Sequence, residues 1–218
     1  MEIKYWSDIA CPFCYIGSTR MKRALKELGL TASTPLVFKA FQLDPTLPVE
    51  TSDSMVDNFA NGHGMTTTQA KSQIEQIMQM GAGDGLNVDL LNAIPTNTLD
   101  AHRLIKLANS FGNAELTEKV IDAFYRVYFS QGESIADHGV LQRVAVKAGL
   151  PAERVRVVLK GQQFVDDVHN DEIEAQRLGI HGAPFFVINN KYGISGAQPY
   201  EVMLQALQKI STEEGANV

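Results

Sequence analysis

Both cysteines of this 218-residue chain fall in one tetrapeptide, Cys11-Pro12-Phe13-Cys14. Two thiols at that spacing can open and close a disulfide, or supply half of a metal site. Disulfide exchange needs an accessible thiolate to attack and a second thiol close enough to release the mixed disulfide. A structural zinc site needs four ligands, and the chain has no second cysteine pair. Histidines would complete one only by coincidence. The pair is therefore read as redox chemistry with no metal, Cys11 as nucleophile and Cys14 as resolving thiol.

The flanking residues must position that pair. Upstream, Ile3-Lys4-Tyr5-Trp6-Ser7 is a β-prone run; downstream, Arg20, Met21, Leu25 and Leu28 recur at helical spacing. Cys11 is then the N-cap of a helix with Pro12 at its first position, where the missing N–H costs nothing. The positive end of the helix dipole favours a thiolate there. Gly29 ends this helix, and residues 36–43 read as a buried second strand, completing a right-handed β-α-β unit with parallel strands.

From about residue 52 to 178 the signals are mostly helical. Ser52 or Asp53 opens a helix through Phe59 that stops at Gly62, and Thr66 or Thr67 opens one that ends at Gly81. Residues 86–88 suggest a short extended piece. Asn97 caps a helix through Leu104, and Leu116 to Tyr128 keep helical spacing up to Gly132. Further helices open at Asp137 and Pro151, and a longer one carries Phe164, Val168 and Ile173 to Gly179. Strand character returns in Phe185-Phe186-Val187-Ile188; Asn189-Asn190 turns a hairpin, and Pro199 opens a last helix. The reading is a small α/β domain made of residues 1–44 and 179–218, interrupted by a helical insertion, 45–178.

Composition narrows the function classes. A formal net charge of −6 and a pI near 5.4, with no basic runs, argue against nucleic acid or an anionic membrane as partner. No apolar stretch approaches the roughly 18 residues of a membrane span, and Met1-Glu2-Ile3-Lys4 has no leader pattern. A soluble, cytoplasmic protein is expected. In that reducing compartment a Cys-x-x-Cys pair is catalytic or metal-binding rather than a structural staple.

Three further stretches accompany the cysteines. Ser7-Asp8 precedes Cys11-Pro12-Phe13-Cys14-Tyr15-Ile16-Gly17, Asn97-Thr98 stands before Ala101-His102-Arg103, and Gly182-Ala183-Pro184-Phe185-Phe186-Val187 precedes Gly196-Ala197-Gln198-Pro199. With these the chain resembles the DsbA-like branch of the thioredoxin superfamily, and within it the cytoplasmic FrnE-like dithiol-disulfide oxidoreductases and isomerases. The resemblance implies a thioredoxin-like α/β fold with an inserted all-helical domain. It implies a cis Ala183-Pro184 bond facing the cysteines, with the Ala183 backbone left free to pair with an extended substrate. It also places Asn97 and His102 near the site. Pro12 and Phe13 would tune the Cys11 thiolate and its surroundings.

His181, three residues before Pro184, would come near the cysteines, where a protonated imidazole stabilises a thiolate; a surface loop position accounts for it equally well. Thioredoxins carry a buried acid six residues before the first cysteine, and here that position is Tyr5. Asp8, on the turn, is the nearer carboxylate. Asp8 and Tyr15 suit turn or packing chemistry as well as catalysis, and Trp6 suits the core better than the site.

The implied substrates are disulfide-containing proteins or small-molecule thiols. No bound cofactor is expected beyond glutathione as a co-substrate, and a homodimer is left open. Two rivals stand beside this reading. Kappa-class glutathione transferases and 2-hydroxychromene-2-carboxylate isomerases share the inserted architecture but are similar in carrying serine where Cys11 stands. A non-catalytic, chaperone-like module would make the cysteines incidental.

Overall fold

The computed structural model describes residues 1–215. Its sheet has the order β2-β1-β3-β4. β1 (Ile3–Ser7) lies in the interior, parallel to β2 (Leu36–Ala40) and antiparallel to β3 (Phe185–Ile188), which pairs antiparallel with β4 (Tyr192–Ser195). This is the thioredoxin-like α/β sheet that the resemblance implies.

A period of two explains why β1 can be buried on both sides. Ile3 and Tyr5 join Phe38, Phe186 and Ile188 in the main core, whereas Trp6 turns the other way and packs with Ala175, Ile180 and Val187. Trp6 is thus a core residue. Tyr5 is fully enclosed, its ring edge-on to Phe38 and stacked on Phe186.

The helices among the described residues are α1 (Pro12–Glu27), α2 (Met55–His63), α3 (Thr67–Gly83), α4 (Leu99–Asn109), α5 (Ala114–Gln131), α6 (His138–Ala148), α7 (Ala152–Lys160), α8 (Val165–Arg177) and α9 (Tyr200–Gly215). Helices α2 to α8 lie between β2 and β3 in the chain. The side chains of Ser54, Thr66, Asn113 and Asp137 accept the capping bonds that open α2, α3, α5 and α6. Asn189 and Asn190, both at φ 52, make the tight turn of the β3-β4 hairpin.

Several boundaries depart from the sequence expectation. α2 is capped by Ser54 rather than Ser52 or Asp53, and it runs through Gly62 to stop at Gly64, whose φ of 63 is the left-handed conformation that ends a helix. α3 continues past Gly81. A Cβ there would stand 2.8 Å from Val88 Cγ2, so this glycine permits a close approach and is not a stop. Residues 86–88 form no strand.

β2 ends at Ala40 instead of reaching residue 43, because side chains take over its backbone donors. Gln42 N–H donates to Glu172 and Leu43 N–H to Asp8 Oδ2. α8 lies against β2 and brings in a second carboxylate, Asp171, which is 4 % exposed. It accepts from Ala40 N–H at 2.7 Å, from Lys39 Nζ at 3.1 Å and from Lys106 Nζ. Its carbonyl receives the Trp6 indole N–H at 2.9 Å.

Candidate active site

β1 and β3 run in opposite directions with Trp6 opposite Phe185. The end of β1 and the start of β3 therefore meet at one edge of the sheet, and each carries a candidate motif. Past Ser7 the chain turns, Cys11 N–H donates to Asp8 O at 3.2 Å, and α1 begins at Pro12. Cys11 is the N-cap with extended backbone and no side-chain capping bond. Its carbonyl accepts from the amides of Cys14 and Tyr15. The Ala183-Pro184 bond is cis, and the Cys11 thiol points at the Ala183 carbonyl, with sulfur and oxygen 3.7 Å apart.

Two residues of α1 meet the loops at this edge, Arg20 the one after β4 and Gly17 the one before β3. Arg20 Nη1 donates to the carbonyls of Ala197 and Gln198 at 3.0 Å, and its guanidinium pairs with Asp84 at 2.7 Å. At Gly17 a Cβ would lie 3.1 Å from Pro184 Cγ. Gly17→Val is expected to cost about 1–3 kcal/mol through overpacking, measured by chemical denaturation. A loss under about 0.5 kcal/mol would mean that the loop yields.

Both cysteines are free thiols, Cys11 2 % and Cys14 0 % exposed. Pro12 is half-buried, and Phe13 is 36 % exposed. Burial pushes the Cys14 thiol well up; its hydrogen bond with Cys11 and the Cys11 charge push it further, while the Asp8 amide and the Ser7 hydroxyl pull it back. Asp8 N–H lies 3.4 Å from Cys14 Sγ. Ser7 Oγ lies 2.7 Å from the Tyr125 hydroxyl, which reaches across from α5.

Asp8 does more than make a turn. Its carboxylate is 2 % exposed, accepts from Ala10 and Leu43 amides and meets His102 Nε2 at 3.1 Å. His102, from α4, is fully enclosed, and its Nδ1 has no hydrogen-bond partner among the described residues. A buried carboxylate-imidazole pair therefore sits behind the cysteine turn. The tyrosine at the thioredoxin-acid position supplies no charge: burial pushes Tyr5 well up, with the Glu118 and Asp122 charges adding to it.

The remaining candidates are placed differently. Asn97 is not the cap of α4, which is Thr98. Its amide group donates to Pro45 O and Leu47 O, its Oδ1 accepts from Leu99 N–H, and its own N–H donates to Pro48 O. It fastens the exit of β2 to the start of α4 and touches neither cysteine. Arg103 donates to the Val158, Gly161 and Gln163 carbonyls at and just past the end of α7 and to the Asp100 carboxylate. His181 is exposed on the loop before Pro184, with no hydrogen bond to a cysteine.

Sequence reasoning gave no role to Ser7 or Tyr125 and none to Asp171. Ser7 stands in a quoted motif, but its partner is 118 residues away and carries no local signal. Among the described residues no group of three or more His, Cys, Asp and Glu could hold a metal. A cavity of about 780 Å³ opens between the later turns of α1 and the start of α5, lined by Lys22, Thr34, Glu118 and Asp122, away from both cysteines.

A sheet of this order, with one thiol capping α1 and a second in its first turn beside the Ala183-Pro184 loop, defines a thioredoxin-fold protein with a redox-type site. The chain belongs to the DSBA-like thioredoxin domain family, whose model matches residues 2–208. It is similar to a probable DsbA oxidoreductase from Streptomyces coelicolor, 38% identical, covering 98% of this chain and 91% of that one with a TM-score of 0.91. Two more distant structures share the fold. A 2-hydroxychromene-2-carboxylate isomerase is 11% identical with a TM-score of 0.71 over the whole of both chains. The cytosolic disulfide reductase DsbM from Pseudomonas aeruginosa, in its structure with GSH, is 15% identical with a TM-score of 0.66, covering 97% of this chain and 100% of that one. Among the described residues no helix is long and apolar enough to cross a membrane.

Proposed function

We propose that the chain is a thiol-disulfide oxidoreductase. Cys11 attacks a substrate disulfide, one substrate thiol leaves, and Cys14 then attacks the Cys11 sulfur to release the second. The observation that carries this is the asymmetry of the pair. Cys11 caps α1 against the Ala183 carbonyl at the proline loop, while Cys14 is sealed behind it with its thiol held protonated by burial. An attacking thiol at a helix N-cap and a resolving thiol one turn further along the same helix are what two-step exchange requires.

The Ala183 backbone supports an extended partner, because Pro184 has no N–H to compete for it. Exposed Phe13 offers that partner an apolar contact beside Cys11. Disulfide-bearing polypeptides and glutathione both fit this geometry. In the proposed arrangement residues 1–44 and 179–218 carry the exchange and residues 45–178 shape access to it, in a cytoplasmic protein.

The direct test is reduction of insulin disulfides with glutathione as electron donor. The protein is expected to accelerate it, and Cys11→Ser to return the rate to background. Undiminished turnover in that variant overturns the reading. Glutathione affinity that survives loss of both thiols, together with no disulfide turnover, would instead place the chain with the glutathione-dependent isomerases.

A further inference from the structure

Asp8 touches both cysteines through its backbone. Its N–H donates to Cys14 Sγ at 3.4 Å, and its carbonyl accepts the Cys11 N–H at 3.2 Å. The carboxylate of the same residue is enclosed and held from three directions. Ala10 N–H reaches Oδ1 from the turn at 3.4 Å, Leu43 N–H reaches Oδ2 from the chain beyond β2 at 2.8 Å, and His102 Nε2 reaches Oδ1 from α4 at 3.1 Å.

Packing alone does not account for a histidine at position 102. The ring is fully buried against Phe38, with centroids 5.7 Å apart, and its Nδ1 has no hydrogen-bond partner among the described residues. A buried nitrogen left unpaired costs stability that an apolar side chain would not forfeit. Only Nε2 finds a partner, so the ring directs its donor at Asp8.

We propose that the His102-Asp8 pair is a positioning device for the resolving step, fixing Asp8 so that its amide stays aimed at the Cys14 sulfur and stabilises the attacking thiolate. Amide and carboxylate belong to one residue, so a carboxylate that swings away in search of other donors carries the backbone with it. Removing His102 leaves a buried charge short of one donor, which supplies the force for that swing. A donor held in place in a dry site stabilises an ion more than one that must reorient. The Asp8 N–H touches the reacting sulfur; His102 is a positioning residue acting through Asp8. This proposal rests on the exchange mechanism proposed above.

The step balances without a further reactant. In the mixed disulfide, Cys14 gives up its proton, its sulfur bonds to the Cys11 sulfur, and the bond from Cys11 to the substrate sulfur breaks. The departing thiolate takes up a proton, so the products are the Cys11-Cys14 disulfide and one free substrate thiol.

The test is stopped-flow reaction of the reduced protein with 5,5′-dithiobis(2-nitrobenzoate), which releases one coloured thiolate when Cys11 attacks and a second when Cys14 resolves. Cys11 owes its setting to the start of α1 and the Ala183 carbonyl, which the Asp8 carboxylate does not contact. His102→Leu is therefore expected to change the first release by less than about twofold and to slow the second by about tenfold, the lower end of what one hydrogen bond to a charged group is worth. His102→Gln, whose side-chain amide again offers an N–H to Asp8, should bring the second release back to within about threefold. Asp8→Asn, which keeps the shape but turns an N–H toward one of the three donors, should slow it by about three- to tenfold. The double variant His102→Leu with Asp8→Ala should be no slower than Asp8→Ala alone, because the histidine acts through the acid.

If His102→Leu does not fold, Asp8→Asn carries the test. An unchanged second release in the folded variants overturns the positioning role and leaves the exchange mechanism standing. Equal slowing of both releases that His102→Gln fails to repair also overturns it, since that is loss of structure alone. Absence of the first release in the unmutated protein overturns the exchange mechanism, and this role with it.

Discussion

Cys14→Ser should stop the reaction halfway. The variant keeps Cys11 at the helix N-cap and the Ala183 carbonyl beside it, so attack on a disulfide proceeds, but the buried thiol that would complete exchange is gone. Intramolecular thiols held in contact react with effective concentrations on the order of 10⁵ M or more, far above any cellular thiol. Release should therefore slow by at least about 10³-fold, leaving external glutathione as the only resolving agent. Incubation with oxidised glutathione, followed by intact-mass measurement, should show one glutathione bound per chain. Peptide mapping should put it on Cys11. A variant that turns over normally and carries no adduct would mean that Cys14 does not resolve.

The second large effect lies away from the cysteines. Asp171→Ala removes the acceptor shared by the Ala40 amide and the lysines at 39 and 106, leaving a buried donor and two neighbouring cations without their carboxylate. Breaking such a buried group from one side costs about 3–5 kcal/mol. In a chain of this size that lowers the melting temperature by about 6–20 °C. Asp171→Asn should lose less. A shift under about 2 °C for the alanine variant would contradict this account.

The same cluster has an alkaline limb. Burial opposes the Lys39 charge, but bonds to Glu174 and Asp171 outweigh it and raise its pKa. A raised folded-state pKa means that this contribution is complete below the unfolded lysine value of about 10.4 and is lost as pH climbs through the folded one. Denaturation midpoints of the unmutated protein should therefore fall above about pH 10.5 more steeply than those of Lys39→Met.

What could be read in the residue order was local. Cys11-Pro12 at a strand-helix junction, a capping threonine at 66 or 67, the Asn189-Asn190 turn and the β-prone run of β1 all depend on neighbours a few positions away, and the structure has each of them, with Thr66 as the cap. Glycines were read less well, because two physical uses look alike in a string. Gly64 ends a helix, whereas Gly81 lets one pack against Val88.

The site was half visible for a related reason. Cys11, Cys14 and Pro184 announce themselves by type, but a buried acid looks like any surface acid until its partner is known. Asp8 finds His102 across 94 residues, and Asp171 finds Ala40 across 131. Neither spacing leaves a periodic trace. His181, for which a place beside the cysteines and a surface loop position were equal expectations, is exposed on the loop before Pro184.

The reach of α4 and α5 to the end of β1 bears on how this protein can be cut or recombined. Tyr125 meets Ser7, and His102 meets Asp8, both from helices inserted between β2 and β3. A shortened chimera that keeps the sheet, α1 and the proline loop but borrows a foreign insertion would inherit the attacking thiol with its setting intact. It would strip the hydroxyl from Ser7 and the imidazole from Asp8 in the same operation. The parts of the site thus differ in portability: Cys11 travels with its own loop, whereas Ser7 and Asp8 keep their partners only with the inserted helices.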